Sequence, residues 1–295
     1  MNKRPDISIV ILTYNTCDLT IRCLESLDKT AWGSLSKETI VVDNASSDKT
    51  PERVKKLFPH AYFIKNSNNF GFAKGNNVGI RKARGRYILL LNSDTEVSAR
   101  AIPTMIAFMD SHQKAGASTC KLVLSDGSID PACHRGFPTP WNAFSYYTKL
   151  EKLFPRTHVF GGYHEGYKNM NIPHEVDAIS GAFFMIRRET VQDVGVLDES
   201  FFMYAEDIDW SYRMKHEGWQ IWFVPTATVL HRKKQSGRAH LLKDRRLKSN
   251  EYFLISNRFF YTKHYGKKYS PAITFLVYAF YDIQLFLLKV LGDVV

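Results

Sequence analysis

Acidic and amide side chains follow the apolar runs in the first half of the sequence. In YILLLNSDTEV (residues 87–97), five apolar residues precede Asn92, Ser93 and Asp94. A carboxylate at the end of a strand can hold a hard divalent cation, which in turn can clamp a diphosphate. Taken alone, an Asn-Ser-Asp turn is more often a helix cap than a metal site. The other runs end on Thr13, Tyr14 and Asn15, on Asp43 and Asn44, and on Asn66 and Asn69.

The elements that must position these side chains follow from the apolar pattern. Four runs rich in β-branched residues alternate with segments of helical period between residues 7 and 112. This alternation predicts repeated βαβ units and a parallel sheet covered by helices on both faces. Ligands of such sheets lie outside the carboxyl ends of the strands. We therefore expect the four sets of polar side chains to face one crevice.

The segment NNFGFAKGNNVGI (residues 68–80) carries three glycines and four amides near the start of a helix. Glycines permit close backbone approach, and exposed amides at a helix start favour an anion, so Lys74 could reach a phosphate. An ordinary glycine-rich connection would have the same appearance. Neither GxGxxG after the first strand nor GxxxxGK[ST] occurs, so a standard dinucleotide site or P-loop is not predicted.

A second group of acids lies in FFMYAEDIDWSYRMK (residues 201–215), where Glu206, Asp207 and Asp209 open a helix. Acids in a first helical turn are favoured by the helix dipole. Three of them after an aromatic run also fit a carboxylate that acts as a general base towards a hydroxyl. His231 ends a later strand and could be a second metal ligand, although a lone histidine is usually an ordinary surface or core residue.

The chain of 295 residues has a net charge of +11, of which the block from Arg232 to Lys268 carries +10. Such a block suits nucleic acid, an anionic membrane surface or a phosphorylated substrate. The four cysteines lack a CxxC pair and are expected to be reduced, and the N-terminal apolar run is predicted to be a strand rather than a signal peptide. We therefore expect a cytoplasmic protein.

The second half breaks into irregular, aromatic-rich sequence from about residue 120 to 175, which is typical of binding loops. The segment after Ser270 predicts an amphipathic helix with Tyr278, Asp282, Lys289 and Asp293 on one stripe. This helix could pack on the main domain, on a second copy of the chain in a homodimer, or on a membrane surface. The basic block before it favours peripheral contact with the inner face of the cell membrane.

Taken in order, seven motifs resemble those of the inverting glycosyltransferases of family 2, which have the GT-A fold. The motifs are SIVILTYN, IVVDNASSD, NNFGFAKGNNVGI, YILLLNSDTEV, AISGAFFMIRRE, FFMYAEDIDWSYRMK and VLHRKKQSG. The sequence is most similar to the bacterial rhamnosyltransferase group that acts in cell-surface polysaccharide assembly. The resemblance covers about residues 6–240 and implies an α/β, Rossmann-like, doubly wound and mostly parallel sheet. We expect a catalytic domain over 1–240, with a nucleotide-sugar half to about 120 and an acceptor half after it, and a basic, amphipathic helical extension over 241–295.

The resemblance also implies roles for residues that match the motifs by position. Asp207 would be the catalytic base, and Asp94, with His231, would hold Mg²⁺ or Mn²⁺. Asp43 would accept the hydrogen bond from N3–H of a uracil or thymine ring. The remaining residues implied at the donor nucleotide are Thr13, Tyr14, Asn15, Asn69, Lys74, Asn76, Asn92 and Ser93. Those implied beside the donor or acceptor sugar are Gly181, Ala182, Glu206 and Trp210.

The implied activity is transfer of a sugar, first L-rhamnose from dTDP-rhamnose, to a glycan or lipid-linked acceptor. Two other functions share parts of the pattern. A sugar-phosphate nucleotidyltransferase would have a similar crevice and metal, but usually has a glycine-rich loop where this chain has TYNTCDLT. A nucleic-acid-binding protein would use the basic block, but no RRM, KH or C₂H₂ pattern occurs, so we expect no nucleic-acid partner. A catalytically inactive family member is a third alternative, against which the three acids Asp43, Asp94 and Asp207 argue.

Overall fold

The computed structural model of the chain describes residues 4–233 and 243–292. Nine strands in this part of the chain form one sheet. They are β1 (Ile7–Thr13), β2 (Lys37–Asp43), β3 (Tyr62–Lys65), β4 (Tyr87–Asn92), β5 (Thr95–Val97), β6 (Ala115–Leu124), β7 (His174–Glu175), β8 (Phe183–Arg187) and β9 (Gln220–His231). The helices are α1 (Cys17–Asp28), α2 (Thr50–Leu57), α3 (Gly71–Lys82), α4 (Ala101–Ser111), α5 (Pro140–Tyr147), α6 (Leu150–Leu153), α7 (Arg188–Val194), α8 (Glu206–His216), α9 (Lys243–His264) and α10 (Pro271–Leu291).

The first four long strands form a parallel sheet in the order β3-β2-β1-β4, with α1, α2 and α3 as the crossover helices. The apolar side chains of β1, β2 and β4 are buried on both faces, as in β1, where Ile7, Ile9, Val10 and Ile11 have no accessible surface. Burial of both faces explains why these strands are continuous apolar runs rather than alternating ones. The predicted doubly wound α/β half and its parallel sheet are confirmed.

The second half of the sheet is mixed. β8 lies antiparallel between β4 and β6, β9 runs parallel to β6, and the short strands β5 and β7 pair antiparallel with β9. The β5–β9 pairing sets Thr95 opposite His231. It therefore brings the segment after β4 to the end of β9, although the two are far apart in sequence.

The C-terminal helices pack on this sheet unit and on each other. On α9, Ser256 donates a hydrogen bond to the carbonyl of Met203 at 2.8 Å, and the Tyr204 and Ser249 hydroxyls lie 2.5 Å apart. On α10, Tyr281 and Leu288 are buried against α9, but most of the helix is exposed. α10 is long and apolar enough to cross a membrane by length and composition. The predicted boundary after residue 240 and the stripe residue Asp293 lie outside the described residues.

Two residues of the predicted stripe on α10 contact α9. Tyr278 lies 3.1 Å from the Thr262 hydroxyl, and Asp282 pairs with Arg258 at 3.4 Å. The apolar side chains on the other side of α10 are therefore the exposed ones, among them Phe275, Leu276, Ile283 and Phe286. The helix is amphipathic as expected, but its polar side chains contribute to packing within the chain.

Asp209 anchors α9 to α8. Its buried carboxylate contacts Lys263 at 2.6 Å, His264 at 2.7 Å and Arg213 at 2.9 Å. Burial alone would raise the pKa of Asp209, but the hydrogen bonds from His264 and Lys263 lower it to about 2. This acid is therefore structural, which explains one of the three acids in the motif.

We predict that Asp209→Asn lowers the free energy of unfolding at pH 7 by about 2 kcal/mol, because the folded pKa lies below that of the unfolded chain. The contribution of Asp209 is present above the unfolded pKa of about 4 and is lost as the pH falls towards the folded value. Urea denaturation at pH 7 and at pH 3 measures both effects. Asp18→Asn, which removes an exposed partner of Arg53, is the matched control and should change stability little. Equal stability of Asp209→Asn and wild type at pH 7 would contradict the anchoring role.

Candidate active site

The carboxyl ends of β1, β2 and β4 meet at one edge of the sheet. Thr13 pairs with Asp43 across β1 and β2, and Leu12 pairs with Asn92 across β1 and β4. The loops that follow these strands therefore start side by side. This edge is where the ligand of an open α/β sheet lies.

Asp43 is the residue at this edge whose environment points most directly to a ligand. Its side chain has no accessible surface, and Oδ2 accepts a hydrogen bond from the amide of Ser46 at 3.1 Å. Oδ1 is also buried and has no hydrogen-bond partner among the described residues. A buried acceptor without a partner is costly, so a donor from a bound molecule would be favourable here.

The residues after β1 divide between the crevice and the protein interior. Tyr14 is 45% exposed and can offer its ring to a ligand. Asn15 has a positive φ of 53°, and its Oδ1 accepts hydrogen bonds from the amide and hydroxyl of Ser47. Asn15 therefore holds the loop after β2 in place. Thr13 is buried and its hydroxyl contacts Thr16 and Thr20 on the α1 side, so its side chain does not line the crevice as expected.

The amide-rich segment around α3 serves mainly packing. Asn69 accepts hydrogen bonds from the Gly71 amide and from Asn44, and Asn76 is buried and bonded to the Phe72 carbonyl of its own helix. A Cβ on Gly79 would lie 2.4 Å from Val10, so this glycine allows α3 to lie close to β1. Because Asn76 is buried, its side chain is not accessible to a ribose or phosphate. The expected role of Asn76 at the donor nucleotide is therefore corrected.

Lys74 is the exposed cation of the same helix. Its Nζ lies 4.7 Å from the centre of the Phe70 ring. Its ammonium group is therefore on the outside of α3, where it can reach a charged ligand. The role of Lys74 at the donor phosphates stays a prediction.

Asp94 and His231 lie together after β4 and at the end of β9. The Asp94 carboxylate is 3.3 Å from Nε2 of His231, and Nδ1 of His231 is 2.7 Å from Asp130. Asp130 has no accessible surface and also accepts a hydrogen bond from Lys233 at 2.8 Å. A carboxylate bound to the far nitrogen of a metal-ligating histidine is the usual way to orient that ring. Asp130 lies in the irregular part of the sequence, where no apolar period or local motif marks it as a site residue.

The charges of this cluster stabilise one another. Burial alone would lower the pKa of His231, but hydrogen bonds with Asp130 and Asp94 raise it to about 9. Burial would raise the pKa of Asp130, but His231 and Lys233 hold it well below its usual range. Within the described residues no group of three or more acids, histidines or cysteines has the arrangement of a metal site. Asp94 and His231 still fit a cation whose remaining ligands are substrate phosphates and water, as is common for Mg²⁺.

Asp207 lies at the start of α8, next to the turn that precedes β8. Its Oδ2 accepts hydrogen bonds from Arg135 at 2.7 Å and from the amide of Gly181 at 3.3 Å. The carbonyl of the neighbouring Ala182 accepts a hydrogen bond from the amide of Asn92 at 3.0 Å. These contacts connect Asp207 to the end of β4. Asp207 therefore lies at the same edge of the sheet as the residues that follow β4.

Arg135 is the functional residue that the sequence did not reveal. It is 8% exposed, and its guanidinium also donates to the carbonyl of Ile179. The ion pair with Arg135 fixes the position of the Asp207 carboxylate. Arg135 comes from the irregular segment, and its partner is 72 positions away. No periodicity or local motif could have linked the two.

Glu206, the first residue of α8, follows a turn with an unusual backbone conformation. Tyr204 and Ala205 both have positive φ, 72° and 62°, a strained backbone that is usually found at functional sites. Glu206 follows them, is 5% exposed, and has one carboxylate oxygen without a partner among the described residues. Burial, together with the charge of Asp207, raises the pKa of Glu206 well above its usual range. Burial and the neighbouring Asp207 therefore both favour the neutral form of the Glu206 carboxyl.

Two further expected sugar contacts have different outcomes. Trp210 has no accessible surface, stacks on Phe184 and donates a hydrogen bond to the carbonyl of Gly195. A ring inside the core cannot contact a sugar, which corrects the expected role of Trp210. Gly181 lies beside Asp207, and a Cβ there would be 2.7 Å from the Phe72 ring. Ser93 is expected at the donor nucleotide instead, and its hydroxyl lies 3.1 Å from the Thr16 hydroxyl at the same edge of the sheet.

The sequence was compared with known families. The model of the family described as glycosyl transferase family 2 matches residues 8–195, which is more than half of the chain. The chain belongs to this family. As a member of family 2, it is a glycosyltransferase.

Known proteins similar to this glycosyltransferase agree with that assignment. The N-acetylglucosaminyl-diphospho-decaprenol L-rhamnosyltransferase of Mycobacterium tuberculosis is 26% identical over 239 residues, which are 77% of this chain and 76% of that protein. The mannosyltransferase PcManGT of Pyrobaculum calidifontis, solved with GDP-Man and Mn²⁺, matches with a TM-score of 0.59 and 15% identity over 95% of this chain and 70% of that one. TarS 1-349 of Staphylococcus aureus matches with a TM-score of 0.54 and 18% identity, and the match covers 85% of this chain and 65% of that one. These likenesses confirm the GT-A fold.

We predict that Arg135→Gln in this glycosyltransferase lowers kcat at least about tenfold, because Asp207 loses the guanidinium that orients its carboxylate. Binding of the donor nucleotide should change little, since Arg135 contacts Asp207 and not the β1–β2 edge. Steady-state kinetics and calorimetric titration with the nucleotide separate the two effects. Arg135→Lys keeps the charge and should recover part of kcat. A wild-type kcat for Arg135→Gln would contradict the role of the ion pair.

Proposed function

We propose that this family 2 glycosyltransferase is an inverting, metal-dependent enzyme that transfers L-rhamnose from dTDP-rhamnose to a glycan or lipid-linked acceptor of the cell surface. The observation that carries the proposal is Asp207, a carboxylate paired with Arg135 and bound by the Gly181 amide at the edge of the sheet. The rhamnose donor is supported by the similarity to the mycobacterial L-rhamnosyltransferase. The family match favours glycosyl transfer over the nucleotidyltransferase and nucleic-acid-binding alternatives.

The donor nucleotide would occupy the edge formed by β1 and β2. Oδ1 of Asp43 would accept the N3–H of the base, which supplies the partner that this buried oxygen lacks. The exposed ring of Tyr14 can stack on the base, and Lys74 can approach the phosphates. Uracil and thymine present the same N3–H, so this contact does not distinguish dTDP from UDP.

In the transfer step, Asp207 would take the proton of the acceptor hydroxyl while the oxygen of that hydroxyl bonds to the anomeric carbon. The bond from that carbon to the diphosphate oxygen breaks in the same step, so the configuration inverts. The Glu206 carboxyl, one oxygen of which has no partner among the described residues, would hydrogen-bond a sugar hydroxyl beside Asp207. Asp94 and His231 would hold Mg²⁺ or Mn²⁺, which neutralises charge on the leaving diphosphate when it is bound.

The exposed apolar side of α10 supports peripheral contact with the inner face of the cell membrane. Seven large apolar side chains of this helix are more than a third exposed: Ile273, Phe275, Leu276, Ile283, Phe286, Val290 and Leu291. An apolar helical face next to a basic segment is typical of proteins that bind anionic membranes. A lipid-linked acceptor would be reached from that surface.

We predict that Asp207→Asn abolishes sugar transfer while it leaves nucleotide binding intact, because the amide cannot accept the proton. Asp94→Asn is the reciprocal control, since it should weaken Mn²⁺-dependent donor binding about tenfold or more. Donor consumption and calorimetric titration of the nucleotide with and without Mn²⁺ measure the two properties. Substantial turnover by Asp207→Asn would remove the base assignment.

A further inference from the structure

A second set of exposed apolar side chains lies far from α10 in sequence. It comes from α5, α6 and the segment after them, and consists of Trp141, Phe144, Leu153, Phe154 and Val159, each about half exposed or more. Contiguous apolar surface of this kind marks an interaction site rather than ordinary surface. None of the proposed donor, sugar or metal residues lies in this segment.

The segment and α10 touch each other. The rings of Tyr147, at the end of α5, and Phe280, in the middle of α10, lie 4.7 Å apart. Phe144 is one turn before Tyr147 and Ile283 is one turn after Phe280, so exposed apolar side chains flank this contact from both elements. We call the exposed apolar residues of 141–159 and of α10 the apolar platform.

The exposed charged side chains of residues 141–159 are basic, and the exposed acid of α10, Asp282, pairs with Arg258 at 3.4 Å. Lys149, Lys152 and Arg156 are exposed between its apolar residues. The acid of this stretch, Glu151, is buried and accepts hydrogen bonds from the amide and ring of His164. The platform therefore presents apolar side chains with basic groups among them, which matches an anionic lipid surface.

The platform is also connected to the proposed catalytic base. α5 and α6 lie between Gly136 and Tyr163, whose backbones are joined by a hydrogen bond of 2.8 Å. The residue before Gly136 is Arg135, which contacts Asp207 at 2.7 Å. Docking through α5 and α6 would therefore involve residues close in sequence to Arg135, which contacts Asp207, the proposed base.

We propose that the apolar platform docks on an anionic bilayer, with α5 and α6 as its second contact element beside α10, so that the acceptor of Asp207 is a lipid-linked sugar at the headgroup level. This inference rests on the proposed membrane contact of α10 and extends it to a segment of the acceptor half. A second copy of the chain is the other apolar occupant to consider. A two-fold interface would set the same basic groups opposite one another, which is unfavourable.

Vesicle co-sedimentation without any sugar nucleotide tests the platform. Phe144→Ser/Leu153→Ser alters α5 and α6, and Phe275→Ser/Phe286→Ser alters α10. Each pair should weaken binding to mixed phosphatidylcholine–phosphatidylglycerol vesicles at least about tenfold, since burial of one large apolar side chain corresponds to roughly that factor. Leu57→Ser/Tyr62→Ser removes equally exposed apolar groups from α2 and β3 and should bind like wild type. Lys149→Glu/Lys152→Glu should weaken binding to the anionic vesicles and leave the weak binding to pure phosphatidylcholine unchanged.

The outcomes separate this inference from the proposed enzyme function. Wild-type vesicle binding by Phe144→Ser/Leu153→Ser overturns the platform, even where the α10 pair is impaired. A dimer by light scattering that Phe144→Ser/Leu153→Ser converts to a monomer also overturns it in favour of a second copy. Donor consumption with a water-soluble acceptor should be retained in the platform variants. If the wild-type chain binds vesicles but consumes no donor with the water-soluble acceptor, the enzyme function is contradicted and the platform is not.

Discussion

In-register parallel pairing of β1 with β2 and β4 determines where every proposed donor residue lies. The register sets Asp43 beside Thr13 and Asn92 beside Leu12. Side chains of a strand alternate between the two faces of the sheet. A slip of one residue would therefore turn Asp43 to the other face, away from the proposed nucleotide site. The apolar residues of these strands, buried on both faces, make such a slip costly because they would have to repack between the two helical layers.

The acids of the site differ in environment, and each environment restricts what its acid can do. Among the described residues, Asp43 is buried with one oxygen lacking a hydrogen-bond partner, Asp94 is paired with a histidine, and Asp207 is paired with an arginine. Burial and the charge of Asp207 raise the pKa of Glu206, while Asp209 contacts three basic groups. Neighbouring carboxylates in one turn therefore have different environments and can have different roles.

The sequence predicted what depends on local pattern and missed what depends on long-range contact. Apolar runs and helical periods gave the strands, the helices and the polar edge, because both patterns repeat within a few residues. They could not tell that Asn76 and Trp210 point into the protein, since burial depends on elements folded over them. Arg135 and Asp130 were missed for a related reason: their partners are 72 and 101 positions away, and irregular segments carry no period.

Nucleotide selectivity tests most directly whether the strand-end acids form a donor site. Calorimetric titration of the wild-type chain with dTDP, UDP and CDP in the presence of Mn²⁺ compares bases that differ at N3. Thymine and uracil would donate N3–H to Asp43, whereas cytosine has an acceptor there and would leave the buried oxygen without a partner among the described residues. dTDP or UDP should therefore bind at least about tenfold more tightly than CDP, as expected for a hydrogen bond to a charged group. Equal affinity for all three nucleotides would contradict the proposed site.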